Sequence, residues 1–245
     1  MLFITTWLWG DKYDTRDVCR LRAGVERHLH QPHLFTCIVE PGARGRDLAR
    51  ALAPDIVSLP FAHSELIEYP GCFVRLEMFS EGFQLKLGAE PGDRIVCMDL
   101  DSVVTGHLDP LFDRPETFMI LQGANAANPC PYNGSLMMLR AGCHREVWDD
   151  FDLDTELCWR KDDTDALDRK GCYYEFPDDQ GWLAHKLPGM PGWKVGPQSG
   201  VYAFQKPGWP PGTDLPAGAR LVVFPGARSP ETFKNLPWIR EHWRT

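Results

Sequence analysis

The chain has no Cys-x-x-Cys pair, although eight cysteines stand among its 245 residues. Zinc-ribbon and thioredoxin-type chemistry both need such pairs and are excluded. Cys37 and Cys97 stand inside apolar runs and read as buried thiols. An even count permits disulfides, yet the opening Met1-Leu2-Phe3-Ile4-Thr5-Thr6-Trp7 lacks the basic segment and small-residue cleavage site of a secretory signal. No apolar run reaches the roughly 18 residues that a membrane span requires. There is no cationic excess either: 26 Lys and Arg face 34 Asp and Glu, a net charge of −8. Phosphate-backbone binding runs on surplus Lys and Arg, so no nucleic-acid partner is expected. A local basic pocket for a small phosphate ligand remains open. The sequence also lacks an internal repeat and any linker long enough to split it. Together these absences predict one domain over 1–245, cytoplasmic, without a transmembrane segment and with at most peripheral membrane contact. A chain of this length buries a core without disulfides.

What is present alternates. Leu2 to Trp9 reads as a strand, and a helix starts at Asp14 or Thr15, both good caps. Val18, Leu21, Val25 and Leu29 give that helix one apolar face. A strand over Leu34 to Val39, a helix over Arg46 to Leu52 and a strand over Asp55 to Leu59 follow. This order predicts an α/β fold with a mixed, mostly parallel central sheet flanked by helices. Phe73, Leu76, Phe79, Phe83 and Leu87 fit one face of a single further helix. Later strands are expected at 117–121, 136–139, 193–195, 201–204 and 221–224. Helices are expected over 144–151, from Pro177 onward and over 237–243. The acidic stretch 152–168 reads as a surface helix or insert. Pro and Gly crowd 188–218 around Trp193 and Trp209; so long an irregular segment predicts a functional, acceptor-side role or a packing role. His28, His30 and His33 read as favourable charge at a helix end or as solvated groups, not as metal ligands.

The run from Asp93 to Val104 carries the chemistry. Ile95, Val96, Cys97 and Met98 suit a strand buried on both faces. It delivers Asp99 and Asp101, which an extended backbone would point to one side. Two carboxylates leaving a buried strand are costly unless a cation neutralises them, and a hard divalent ion is the simplest partner. The same spacing recurs at Asp150 and Asp152, Asp152 and Asp154, and Asp163 and Asp165, but in polar surroundings that predict solvation. Only the pair at 99 and 101 follows a hydrophobic strand.

Set in order, several pieces resemble the GT-A glycosyltransferases, in particular bacterial relatives of glycosyltransferase family 8. Trp9-Gly10-Asp11-Lys12-Tyr13 after the first strand is similar to the family's nucleotide-binding opening. Phe73-Val74-Arg75-Leu76 is similar to its donor-facing helix, and Asp93 to Asp101, with Leu108-Asp109-Pro110-Leu111-Phe112, to its metal-binding strand and turn. Tyr132-Asn133-Gly134-Ser135-Leu136-Met137 and Asp179-Gln180 resemble its sugar-contacting segments. The resemblance implies a single GT-A domain, with donor binding over about 1–105 and the acceptor side over about 106–245. It implies a metal-dependent hexosyltransferase-like enzyme moving a sugar from a nucleotide-diphosphate donor, a UDP-sugar, to a saccharide or glycoconjugate acceptor. Asp99 and Asp101 would hold Mn2+ or Mg2+. Thr5, Trp9, Lys12, Arg75, Asp99, Asn133, Gly226 and Arg228 would contact the donor. Asp179 and Gln180 would be catalytic, and a neutral amide beside the anomeric carbon fits front-face transfer with retention.

The last strand departs from that pattern. The family's usual histidine and Gly-x-x-Lys-Pro are replaced by Phe224-Pro225-Gly226-Ala227-Arg228-Ser229-Pro230. The third metal ligand is missing, and Arg228 is the candidate substitute for the lysine charge. Two alternatives follow: a catalytically degenerate domain that only binds nucleotide sugar, or a sugar nucleotidyltransferase. The latter class carries a glycine-rich basic loop after its first strand, where this chain has one glycine, Gly10.

Overall fold

The computed structural model describes residues 1–69, 71–124, 130–152 and 178–245. The expectations placed on 153–177, including Asp163, Asp165 and the helix start at Pro177, lie outside the described residues. Seven strands form the main sheet: β1 (Leu2–Leu8), β2 (His33–Val39), β3 (Val57–Pro60), β4 (Arg94–Met98), β6 (Phe118–Gln122), β7 (Tyr132–Arg140) and β8 (Gly192–Lys194). Their order is β3-β2-β1-β4-β7-β6-β8. Only β7 runs against its neighbours, as a mostly parallel sheet predicts. A smaller sheet joins β5 (Val103–Val104), β10 (Leu221–Val223) and β9 (Val201–Ala203).

β1 is buried along its whole length. Its side chains alternate between two cores: Leu2, Ile4 and Leu8 pack with α1 (Thr15–His28), while Phe3 and Trp7 pack toward the 73–79 segment. β4 alternates likewise, with Val96 and Met98 on the first face and Ile95 and Cys97 on the second. That is why both strands read as unbroken apolar runs. α1 opens with a capping box in which Asp14 accepts from Arg16 N–H and Asp17 accepts from Asp14 N–H. A cap of this kind is worth about 1 kcal/mol, and here it anchors the loop that precedes the helix.

One expected element changes. The single helix over 73–87 is a 3-10 helix, Phe73–Phe79, followed by α3 (Glu81–Leu87). Ser80 between them is extended and caps α3 by accepting from Phe83 N–H. All of 73–79 is buried, including Arg75 and Glu77, so this segment has no solvent face and loses the amphipathic period. The later helix α6 (Asp179–Lys186) begins at Asp179, with Asp178 as its cap. The remaining helices are α2 (Gly42–Ala51), which starts before the expected Arg46, the short α4 (Asp109–Phe112), and α5 (Glu146–Asp149) and α7 (Pro237–His242), which lie within their expected ranges. Within 188–218, Trp193 is buried and donates to the Leu111 carbonyl at 3.2 Å. Trp209 packs on Phe204 and Trp238. Both tryptophans pack structure rather than open a surface. The cysteines among the described residues, Cys19, Cys37, Cys72, Cys97, Cys130 and Cys143, are free thiols. No helix among the described residues is long and apolar enough to cross a membrane.

Candidate active site

β1 has β2 on one side and β4 on the other, and chain order reverses there. Such a switch point leaves a crevice at the carboxyl ends of the strands. A cavity of about 490 Å³ opens at that place. It is lined by the loop after β1 (Trp9, Lys12, Tyr13), the turn after β4 (Asp99, Asp101), Arg75, the start of β7 (Asn133, Gly134), Gln180 and Gly226. A bulge re-aims the β7 segment: Ile120 pairs with Met137, whereas Leu121 pairs with Asn133. Bulges beside a pocket turn side chains that regular pairing would hide.

Asp99 and Asp101 do not leave an extended strand. Ser102 N–H donates to the Asp99 carbonyl at 3.1 Å, closing a turn. The two carboxylates therefore have different partners. Asp99 Oδ1 accepts from Arg75 Nη1 at 2.5 Å. Asp101 Oδ2 accepts from the Tyr13 hydroxyl at 2.5 Å, with Lys12 Nζ at 3.8 Å. Burial pushes the Asp101 carboxyl up to about 7, and the neighbouring Asp99 charge adds to the shift. Burial, then Asp101, raises the Tyr13 hydroxyl far above its ordinary value, so it stays a proton donor.

The buried Arg75 guanidinium is the hinge between strand and helix groups. Nη1 also donates to the Gly134 carbonyl at 3.0 Å. Nη2 lies 2.6 Å from Asp179 Oδ2, an ion pair without hydrogen-bond alignment. Burial alone would lower Arg75, but Asp179 and Asp99 outweigh it and hold it charged. Burial raises Asp179 to about 7 against the pull of Arg75. An arginine keeps its proton here, so Asp179 is the member of the pair that titrates. Gly134 is required by this approach, because a Cβ there would collide with the Arg75 guanidinium and stand 3.2 Å from Asp179 Oδ2.

The galactosyltransferase LgtC, solved in complex with donor and acceptor sugar analogues, superposes with a TM-score of 0.57 at 13% identity, over 100% of this chain and 97% of its own. An active-site mutant of LgtC superposes at 0.58 and 13% identity, over 94% of this chain and 89% of its own. The fold is GT-A. At that identity the likeness is one of fold, and no protein-family model or curated protein matches the sequence.

Within this GT-A pocket the candidate residues separate into three groups. Trp9, Lys12, Arg75, Asp99, Asp101, Asn133, Gln180 and Gly226 all line the cavity. Asp179 does not: it is 1% exposed, behind Arg75 and Gly134. The helix start that carries it packs beneath the Arg75 guanidinium, so Asp179 has no face on the cavity in this structure. Thr5 and Arg228 are not brought to the cavity. Thr5 is fully buried in β1, and its hydroxyl donates to the Val96 carbonyl at 3.1 Å. Arg228 Nη1 donates to the Phe204 carbonyl at 2.9 Å, which turns it away. Lys12 stands instead beside the last-strand loop, 3.5 Å from the Gly226 carbonyl.

Gln180 is held at both ends of its amide: Oε1 accepts from Gly134 N–H and Nε2 donates to Asp178, each at 3.2 Å. Asn133 Oδ1 accepts from Ser135 N–H at 3.1 Å, which leaves its amide hydrogens for the cavity. Tyr13, which stands in the stretch likened to the nucleotide-binding opening but not among the candidate site residues, also lines the cavity. Its signal was its place directly after Lys12 in an otherwise polar turn.

The acidic pair fits a divalent cation. Asp101 Oδ1 is buried without a hydrogen-bond partner, an acceptor that needs a ligand. Asp99 adds a second carboxylate facing the same cavity. Among the described residues the one group of three His, Cys, Asp or Glu ligands lies elsewhere, in keeping with the missing histidine.

Proposed function

We propose that the protein is a metal-dependent glycosyltransferase that takes a sugar from a UDP-sugar donor and passes it, with retention, to a saccharide or glycoconjugate acceptor. One observation carries this reading: a single cavity at the β1/β4 switch point gathers an acidic pair with an orphaned oxygen, two cations and an oriented amide. On this reading the donor occupies the part built from about 1–105, and the acceptor approaches from about 106–245.

Asp99 and Asp101 would hold Mn2+ or Mg2+, which, when bound, offsets charge on the departing diphosphate. Lys12 adds a mobile cation on the phosphate side. Arg75 fixes Asp99 and is itself fixed by Asp179, so the acidic pair is preorganised. Asn133 offers its amide hydrogens to sugar hydroxyls. Gln180 presents a carbonyl dipole whose direction is set by Gly134 and Asp178. A neutral amide is a poor nucleophile but stabilises positive charge at the anomeric carbon, which supports front-face transfer.

The test is a panel of nucleotide sugars with and without Mn2+. Saturation at about 100 times Kd stabilises by about 2.7 kcal/mol, a rise in Tm of roughly 5–10 °C for a chain of this size. The expected result is such a rise with a UDP-sugar, dependent on metal, together with release of UDP. Binding without release would favour the degenerate domain, which the missing histidine also motivates. Pyrophosphate release from a nucleoside triphosphate would favour the nucleotidyltransferase. No binding of any nucleotide sugar would remove the proposal.

The two C-terminal and N-terminal cations separate by substitution. Lys12→Ala is expected to raise the donor KM about tenfold, the size of one lost charge-assisted contact. Arg228→Ala is expected to leave it within about twofold, since its guanidinium serves the Phe204 carbonyl. Equal effects in steady-state kinetics would show that Arg228 swings into the site.

A further inference from the structure

A second set of ligand-type side chains lies away from the cavity, where the turn after α1 meets the turn before α4. One ligand atom each from His30, His107 and Asp109 lies within 4.8 Å of the others. Nε2 of His107 is 2.7 Å from Asp109 Oδ2, and Nδ1 of His30 is 3.8 Å from the same oxygen. A tetrahedral ion with bonds of about 2.0–2.2 Å places its ligand atoms about 3.3–3.6 Å apart. The observed spacings bracket that value, so small side-chain rotations suffice. Asp109 is already oriented: its two oxygens accept backbone N–H from His30 at 2.9 Å and Gln31 at 2.8 Å. Such outer hydrogen bonds hold a carboxylate ligand in place. The His30 and His107 side chains are 70% and 48% exposed, so a hydrated ion reaches them without opening the fold.

We propose that His30, His107 and Asp109 form a binding site for a borderline transition-metal dication such as Zn2+, with water completing the shell. Two imidazoles and one carboxylate select this class over Mg2+ and Ca2+, which prefer all-oxygen sites. His28 and His33 do not join. The His28 ring lies against His242, with centroids 6.1 Å apart, and His33 Nδ1 sits 3.0 Å from the Gln31 carbonyl. The site is separate from the acidic pair. Gln31 accepts from Arg94 at the start of β4, whereas Asp99 follows its end, about 17 Å further at roughly 3.3 Å per residue. A bound ion would staple the α1–β2 turn to the β5–α4 turn.

The experiment uses tag-free, metal-stripped protein titrated with Zn2+ by calorimetry, alongside Asp99→Ala, His30→Ala and His107→Ala. Wild type and Asp99→Ala are expected to share one equivalent of bound Zn2+, and each histidine variant to bind it at least about tenfold more weakly. Zn2+ is also expected to raise the Tm of the first two proteins and not that of the histidine variants. Binding that survives both histidine changes, or vanishes with Asp99, overturns the assignment. So does wild-type protein that takes up no Zn2+.

Discussion

Asp101→Asn is expected to stabilise the metal-free protein at pH 8 while abolishing metal-dependent sugar transfer. The first half follows from burial. The Asp101 carboxyl is pushed up to about 7, by burial first and by Asp99 second, against an unfolded value of about 3.9. The folded state therefore holds the proton more tightly. The stability this provides is complete below about pH 4 and is lost as pH rises through about 7. Above pH 7 the wild type carries the full cost of a buried charge, about 4 kcal/mol at the upper limit of about 1.36 kcal/mol per unit. Asparagine removes that charge and still accepts from Tyr13. A gain of roughly 1–3 kcal/mol at pH 8 is expected, once the weakened Lys12 attraction is allowed for. It should shrink toward zero near pH 4. The second half follows from the orphaned oxygen, since an amide is a weak ligand for a hard cation. Loss of the cation's stabilisation, several kcal/mol, predicts at least about a 10³-fold drop in kcat/KM. Denaturant titrations in EDTA at both pH values and kinetics in Mn2+ read the two halves separately. A variant less stable than wild type at pH 8 would contradict the burial argument; unchanged metal-dependent turnover would contradict the site.

Arg75→Met is expected to cost about 3–5 kcal/mol of stability, because it strands buried acids without their countercharge. For a chain of this length that is a fall in Tm of roughly 6–20 °C. Asp179 is the acid most affected, since it is 1% exposed and its shift is already upward from burial. Removing Arg75 raises it further, so the variant's stability is expected to be highest below about pH 4 and to keep falling as pH rises past 7. A cycle with Asp179→Asn separates pairing from packing. The double variant is expected to recover a substantial part of the loss, because apolar or neutral replacement of a buried pair is often near neutral. If Arg75→Met costs the same with and without Asp179, the two side chains are not coupled. Should Arg75→Met fail to accumulate, Arg75→Lys keeps the charge but cannot span both Asp99 and Asp179, and an intermediate loss is expected.

Much of the fold was legible because periodicity is local. The apolar run of β4, the cap at Asp14 and the strand–helix alternation each depend on residues near one another in sequence. The 73–87 region misled for the same reason: its apolar spacing fits one helix, but complete burial of 73–79 removes the solvent face that makes a helix amphipathic. Arg228 misled because a charge in the right segment says nothing about its rotamer, and the Phe204 carbonyl claims it.

By itself, then, the sequence determined that an acidic pair would end a buried strand of a parallel sheet, and that the last strand would bring no histidine to it. Only the tertiary structure decided that a turn gives Asp99 to Arg75 and Asp101 to Tyr13. It also placed Asp179 beneath the guanidinium and brought His30 to His107 and Asp109. The reason is physical: these contacts join segments far apart along the chain, and strand order, not residue spacing, determines which of them meet.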